Sequence, residues 1–200
     1  GISGFSGDGG LATGASLNFP WGIVLDSNGN LFIADTDNRR IRRVDASSGI
    51  ITTVAGDGVT GFSGDGSSAT AARLSYLQRL ALDGQGNLFI VDRDNQRIRR
   101  VDATTGIITT VAGDGSIGST GDGGPATSAS FNFPVDIALD SQGNLLIADN
   151  TNHLVRRVEA IGLAAPTPLP ALGPWVLAAL AVAMAGLMLW RQVGHRSASS

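Results

Sequence analysis

The chain of 200 residues has no cysteine, and its 14 basic side chains are balanced against 17 acidic ones, for a formal net charge of −3. The absence of cysteine excludes disulfides and cysteine-ligated metal sites. The acidic balance argues against a general phosphate-binding surface, because nucleic-acid affinity depends on clustered cations, so we expect no nucleic-acid partner.

One segment of the sequence occurs three times at a constant spacing. Residues 30–56 (NLFIADTDNRRIRRVDASSGIITTVAG) return at 87–113, and their first part returns at 144–160. Repeats of this length belong to architectures in which one unit cannot bury its apolar faces alone and neighbouring units stack on it. We place the copies at about 1–56, 57–113 and 114–160, and we expect further units upstream of Gly1.

Each copy opens with a glycine-rich phrase, GFSGDGG in the first. In the first copy, the long connection from Gly4 to Pro20 contains small residues that predict one short helical turn. The phrase carries an aspartate that could form a rim of carboxylates for ligand binding, at Asp8, Asp65 and Asp122. The alternative is that glycine permits the turn while the aspartate caps nearby amides.

Two apolar runs follow, at residues 21–25 and 31–34. They are joined by Asp26-Ser27-Asn28-Gly29-Asn30, in which Asn-Gly predicts a tight hairpin. The same residues resemble a calcium loop, but the glycine stands at the fourth place rather than the sixth, so we favour the hairpin. Runs that are apolar on both faces indicate strands covered on both sides.

Two more strands complete the unit, at residues 40–45 and 49–56. The four predicted strands form an antiparallel propeller blade, with the 21–25 strand nearest the axis and no helix within 30–56. The third copy ends at 160 before its fourth strand, so we predict three four-stranded blades of which the last is incomplete. The fold class is therefore all-β, a partial ring of propeller blades.

The third strand of each copy is rich in arginine. Stacking the copies places these arginines in one stripe, and interleaved aspartates can pair with them. We interpret the stripe as a solvated, salt-bridged blade face on the outside, since exposed pairs contribute about 0–1 kcal/mol each. The arginines are Arg39, Arg40, Arg42, Arg43, Arg97, Arg99, Arg100, Arg156 and Arg157.

The phrase Asp149-Asn150-Thr151-Asn152-His153-Leu154 contains the Asn-His-Leu tripeptide of NHL repeats. Together with GFSGDGG, NLFIADT and RIRRVD, it resembles the long bacterial NHL repeats and the NHL segment of teneurins. The resemblance implies a six-bladed propeller. It does not identify the ligand, because proteins of this family include RNA-binding, protein-binding and enzymatic propellers. The residues of the structural repeat motif are Asp35, Asn38, Asp92, Asn95, Asp149 and Asn152.

The C-terminal part of the chain has a different composition. Residues 161–173 form a Pro- and Ala-rich linker, and residues 171–190 carry no charge over a length of roughly 30 Å as a helix, which spans a bilayer core. We predict a transmembrane helix at 174–190 and a short cytoplasmic tail at 191–200. PTPLPALGPW resembles IPTL-type sorting signals, which implies the cell surface of a Gram-negative bacterium.

Catalytic candidates are few in this sequence. His153 lies inside the repeat motif and His195 lies in the tail, and neither Ser6 nor Ser63 has an accompanying histidine. We therefore predict no catalytic, cofactor or metal residues, and a membrane-tethered binding or adhesion scaffold for a protein or glycan ligand. The alternative is an exported lyase or lactonase whose active residues lie upstream of Gly1.

Overall fold

A computed structural model describes residues 1–159, which form three antiparallel sheets, one for each copy of the repeat. The first sheet has the order β1-β2-β3-β4, with β1 at Pro20–Leu25, β2 at Leu31–Asp35, β3 at Arg40–Val44 and β4 at Ile51–Ala55. The second has the order β5-β9-β8-β7-β6, with β5 at Ser67–Ser68, β6 at Leu77–Leu82, β7 at Leu88–Asp92, β8 at Arg97–Val101 and β9 at Ile107–Ala112. The third has the order β10-β11-β12, with β10 at Pro134–Leu139, β11 at Leu145–Asp149 and β12 at Leu154–Val158. The all-β prediction is confirmed for this part of the chain.

Of the elements predicted after residue 114, only the third blade lies within the described residues. In residues 1–159 the third sheet has three strands, as its truncated copy of the repeat predicts. The linker at 161–173, the helix at 174–190 and the tail at 191–200 lie outside the described residues. Within 1–159, no helix is long and apolar enough to cross a membrane.

The prediction of no helix within 30–56 is wrong at one point. A 3₁₀ turn at Thr36–Asn38 joins β2 to β3, and equivalent turns occur at Arg93–Asn95 and Asn150–Asn152. The turn reverses the chain within three residues, and Arg39, which follows it with a φ of 53°, ends it in the left-handed region. The strands on either side keep their predicted positions.

The segment before each of the first two blades folds back over the outer edge of that blade. Ser67 pairs with Ile108 of β9, and Leu11 forms an equivalent bridge with Ile50 beside β4. The predicted edge strand of the second blade is therefore covered by a short fifth strand. The predicted helical turn in the first connection is present as a 3₁₀ turn at Ala12–Gly14.

Consecutive blades stack through their inner strands. β1 contacts β6, and β6 contacts β10. The central blade is covered on both sides, since every residue of β7 is buried. At Gly22 the approach of β1 to β6 is so close that an added Cβ would lie 2.1 Å from the Gln78 carbonyl oxygen. The continuous apolar runs are thus explained by packing on both faces of the sheet.

The prediction of a solvated arginine stripe is wrong for one arginine of each blade. Arg42 and Arg99 are fully buried, and Arg156 is 8% exposed. Their side chains point to the face of the third strand that the connecting segment covers. Polar groups of the protein therefore surround them in place of water. The neighbouring Arg43 and Arg100 do remain partly exposed and pair with Asp45 and Asp102 at 3.1 and 3.2 Å.

Candidate functional site

The aspartate that ends the second strand of the first blade is the centre of a buried polar network. Both oxygens of Asp35 accept hydrogen bonds from the Asn38 amide, at 2.9 and 2.8 Å, and Oδ1 also accepts the backbone N–H of Asn18 at 2.7 Å. The Arg42 guanidinium lies 3.5 Å from Oδ2. Asn38 in turn donates to the Gly4 carbonyl at 2.7 Å. The sequence motif therefore ties a strand, a turn and the connecting segment together.

The other two blades repeat this network. Asp92 accepts from Ser75 N at 2.8 Å and from Asn95 at 2.9 Å, and Arg99 lies 3.3 Å away. Asp149 accepts from Asn132 N and Asn152 at 2.8 Å, with Arg156 at 3.8 Å. All three aspartates have no exposed surface. The structure thus brings together each Asp and Asn of the predicted repeat motif.

The buried arginine connects this network to the glycine-rich phrase. Arg42 donates to Asp8 Oδ1 from Nη2 at 2.7 Å and from Nε at 3.1 Å, and to the Ser6 carbonyl at 3.1 Å. Asp8 Oδ2 accepts the Thr53 hydroxyl at 2.6 Å. Arg99 with Asp65 and Arg156 with Asp122 form the same ion pairs at 2.7 and 2.6 Å. The three rim aspartates predicted as a carboxylate ring each lie against the arginine of their own blade.

An aromatic ring completes the arginine site in the first two blades. Phe5 lies 4.8 Å from the Arg42 guanidinium carbon and 3.9 Å from that of Arg40. Phe62 has the same relation to Arg99 and Arg97, at 4.8 and 3.8 Å. Sequence analysis missed this role, although the 57-residue spacing of the two phenylalanines was a signal that could have revealed it.

The network holds the β2–β3 type turns, which present different residues in each blade. The turns read Thr36-Asp37-Asn38-Arg39, Arg93-Asp94-Asn95-Gln96 and Asn150-Thr151-Asn152-His153. The asparagine is constant because it binds the buried aspartate. The first and fourth positions differ in all three copies, and the fourth has a positive φ of 53–58° each time. A common support therefore carries a variable turn, in which Thr36 and Gln96 are buried and Asn150, Thr151 and His153 are exposed.

Aromatic residues line the same rim, immediately before the inner strands. Phe19, Tyr76 and Phe133 have positive φ values of 52°, 47° and 53°, which bulky side chains rarely adopt. Arg93 lies between two of these rings, 5.0 Å from Tyr76 and 4.5 Å from Phe133. Gln96 accepts the backbone N–H of Phe133 at 2.7 Å. The turn of the second blade thus contacts the start of the third blade.

The opposite rim carries the hairpins that resemble a calcium loop. Asp26 accepts the backbone N–H groups of Asn28 and Asn30 at 2.9 Å and the Asn30 amide at 2.7 Å, while Gly29 has a φ of 80°. These bonds lower the pKa of the Asp26 carboxyl, with the Asn30 amide contributing most. The hairpin interpretation is confirmed. In residues 1–159 no group of three His, Cys, Asp or Glu side chains could hold a metal ion.

A groove of about 860 Å³ separates the hairpins of blades 1 and 2 on this rim. Its carboxylates include Asp26, Asp83 and Asp102. Each of them already accepts hydrogen bonds from its own turn, for example from the Asn87 amide to Asp83 at 2.7 Å. Hydrogen bonds from Thr105 lower the pKa of Asp102. These three carboxylates of the groove are therefore engaged in local bonds.

Comparison with known proteins agrees with this geometry. The teneurin NHL domain family matches residues 3–63, and the NHL repeat family matches residues 131–157. The repeat region consists of NHL-type propeller blades. These blades are similar to NHL repeat-containing protein 2 of Bos taurus, with 30% identity over 68% of this chain and 20% of that protein. They are also similar to teneurin-1 of Mus musculus, with 35% identity over 46% of this chain and 4% of that protein.

Solved structures share the fold of these blades at low sequence identity. A structural genomics protein from Bacteroides thetaiotaomicron has a TM-score of 0.63 and 23% identity, covering 74% of this chain and 37% of that one. An auxiliary nutrient binding protein from Bacteroides ovatus has a TM-score of 0.56 and 24% identity, covering 72% and 37%. This chain therefore spans at most a fifth of the two curated relatives and over a third of the two solved chains.

Proposed function

We propose that the NHL-type blades form a rigid binding scaffold whose β2–β3 type turns carry specificity for a protein or glycan ligand. One observation carries the proposal: the buried Asp–Asn–Arg support is the same in three blades, while the residues it presents differ. Loops that vary on a fixed framework are the usual place for binding residues. Asp8, Asp65 and Asp122 are each paired with the arginine of their own blade, so the variation between blades lies in the turn side chains.

The place of the scaffold in the cell is part of the same proposal. Residues 171–190 carry no charge and are bracketed by Trp175 and Trp190, with Arg191 just beyond. Tryptophan prefers both membrane interfaces, and arginine on one flank favours the cytoplasmic side. A single C-terminal anchor would then hold the blades outside the cytoplasm, at the cell envelope or surface of a Gram-negative bacterium.

The test exchanges one turn for another that the chain already uses. Asn150→Thr, Thr151→Asp and His153→Arg give the third blade the turn of the first, and all three residues are exposed. We call this the turn-swapped variant. A matched control, Gln142→Asn, gives the opposite-rim hairpin of the same blade the sequence of the first blade. Both variants retain a local sequence that this fold accepts.

Binding is measured for the full chain in detergent on a glycan array and on an array of purified bacterial surface proteins. We expect specific binding that the turn-swapped variant weakens at least tenfold, about 1.4 kcal/mol, and that the control leaves unchanged. Equal loss in both variants, no effect of the turn swap, or no binding to either array would refute the proposal. Turnover of a lactone panel would favour the enzyme alternative.

A further inference from the structure

The groove between the hairpins of blades 1 and 2, which we call the hairpin groove, has an apolar floor. Phe32, Val54 and Leu82 form this floor, and each of them packs against the core cluster that joins the two blades. The groove has a volume of about 860 Å³. Pockets that bind ligands have volumes of about 300–1,000 Å³ and combine apolar walls with a few polar groups. The hairpin groove therefore has the size and composition of a ligand site, on the rim opposite the β2–β3 type turns.

An aromatic ring is open to this groove, whereas the equivalent ring between blades 2 and 3 is covered. Phe32 is partly exposed, and Phe89, one repeat later, has no exposed surface. Phe89 belongs to a core cluster that contains Phe131, and the same repeat position holds Leu74 in the cluster between blades 1 and 2. The junction of blades 1 and 2 thus has a leucine in place of one ring, and its other ring faces the groove.

The charge of the groove is carried by four lining residues: Asp26, Arg43, Asp83 and Asp102. Arg43 pairs with Asp45 at 3.1 Å, and Asp102 pairs with Arg100 at 3.2 Å. Within residues 1–159, neither Asp26 nor Asp83 forms an ion pair with an arginine. Arg43 acts on Asp26 only at longer range, as the weakest of the interactions that lower the pKa of this carboxyl. The uncompensated charge of the groove is therefore negative.

Asp26 and Asp83 are fixed in orientation and can still accept a hydrogen bond. In each carboxylate, Oδ1 accepts two backbone N–H groups at 2.9 Å, and Oδ2 accepts one asparagine amide at 2.7 Å. A carboxylate has about four acceptor positions, so Oδ2 can bind one more donor. Each side of the groove thus presents an oriented anion, which a cation can reach without a rearrangement of the hairpin.

We propose that the hairpin groove binds an arginine side chain of an extended segment of a partner protein. The guanidinium lies against the Phe32 ring, where the negative charges of Asp26 and Asp83 attract it. Aromatic faces attract cations, and arginine is the most frequent partner. The exposed hydroxyl groups of Ser68 and Thr70 line the same groove and provide hydrogen bonds for the peptide backbone of the segment. The site lies away from the turns of the proposed scaffold and does not depend on them.

The first measurement uses the full chain in detergent on an array of hexapeptides. The peptides have arginine or glutamine at one fixed position and neutral residues elsewhere. We expect the best arginine peptide to bind at least tenfold more tightly than its glutamine counterpart, and hexylguanidinium to compete at least tenfold more weakly than the free peptide. No binding, or equal binding of the two counterparts, would overturn the proposal. Competition by hexylguanidinium at the strength of the peptide would replace the partner segment by a small organic cation.

The second measurement locates the site with variants of the chain. Asp83→Asn and Phe32→Leu should each weaken binding of the best arginine peptide at least fivefold, and leucine is the residue that the third blade has at the position of Phe32. The matched control is Asp140→Asn, which removes the same local hydrogen bonds from a hairpin outside this groove and should leave binding unchanged. The turn-swapped variant should also bind the peptide normally.

Equal losses in Asp83→Asn and Asp140→Asn, or unchanged binding in Asp83→Asn, would contradict the site. If Asp83→Asn fails to fold, Phe32→Leu decides, because it keeps an apolar side chain and removes only the aromatic face. Normal peptide binding by a folded Phe32→Leu would then overturn the proposal.

Discussion

Arg42 and Asp35 form an ion pair at 3.5 Å in which neither side chain is exposed. A buried pair adds little net stability compared with apolar residues, because both charges have lost water. Removal of one partner is different, since it leaves the other charge buried and uncompensated. The pair therefore makes each blade dependent on the connecting segment, which supplies Asp8 to the same arginine.

The first prediction concerns this buried arginine. Arg42→Met should lower the free energy of unfolding by about 3–5 kcal/mol, because Asp35 stays buried without its cation. Arg43→Met is the matched control on the same strand. Its partly exposed pair with Asp45 is worth about 0–1 kcal/mol. Urea unfolding measures both, and similar losses in the two variants would contradict the account.

The second prediction concerns the approach of the inner strands. Gly22→Ala places a Cβ 2.1 Å from the Gln78 carbonyl oxygen, so β1 and β6 must separate. We expect a loss of about 1–3 kcal/mol, the usual cost of overpacking. Gly14→Ala has open space around the new Cβ and serves as the control. Thermal unfolding should show a lower midpoint temperature for Gly22→Ala and an unchanged one for Gly14→Ala. An unchanged midpoint for Gly22→Ala would show that the two strands do not meet there.

The third prediction concerns pH. Burial raises the pKa of Asp92 to about 6, above the value of about 3.9 for an unfolded aspartate. The folded state therefore holds the proton more tightly, so this group's contribution to stability is complete below about pH 4 and is lost as the pH rises through about 6. Urea unfolding of the parent and of Asp92→Asn between pH 4 and 7 checks this. The stability difference, parent minus variant, should fall by on the order of 2 kcal/mol over that range, and a rise would refute the assignment.

The fourth prediction concerns the apolar segment near the C-terminus. Leu180→Arg with Met184→Arg places two charges in the segment, at about 2.5–3.5 kcal/mol each on insertion scales. We expect the double variant to leave the membrane fraction of cells. The control variant, Ser197→Arg with Ser199→Arg, adds the same charge beyond the segment. We expect this control to remain in the membrane fraction. Retention of the double variant would argue against a transmembrane anchor.

Much of the blade architecture could be predicted from the sequence. Asn28-Gly29 indicated the hairpin, and the apolar runs predicted strands covered on both faces. The constant spacing of Asp35, Asp92 and Asp149 indicated stacked units. These features depend on local turn chemistry and on periodicity, which a single sequence displays directly.

The buried arginines could not be predicted in the same way. Arg42 and Arg43 are adjacent and chemically identical, and their burial differs because neighbouring residues of a strand point to opposite faces. Which face is covered depends on the connecting segment, whose path over the sheet is a tertiary feature. The charge of the strand suggested that both arginines face solvent, whereas Asp8 and Asp35 pair with Arg42 and allow its burial.

The central claim is that the buried network supports the turns and that the turns are free to vary. The most direct measurement is the free energy of unfolding of two variants of the full chain by urea. The account predicts that the turn-swapped variant stays within about 0.5 kcal/mol of the parent, the range of ordinary surface substitutions, while Arg99→Met loses about 3–5 kcal/mol. A turn-swapped variant that loses as much stability as Arg99→Met would contradict the separation of support from presented surface.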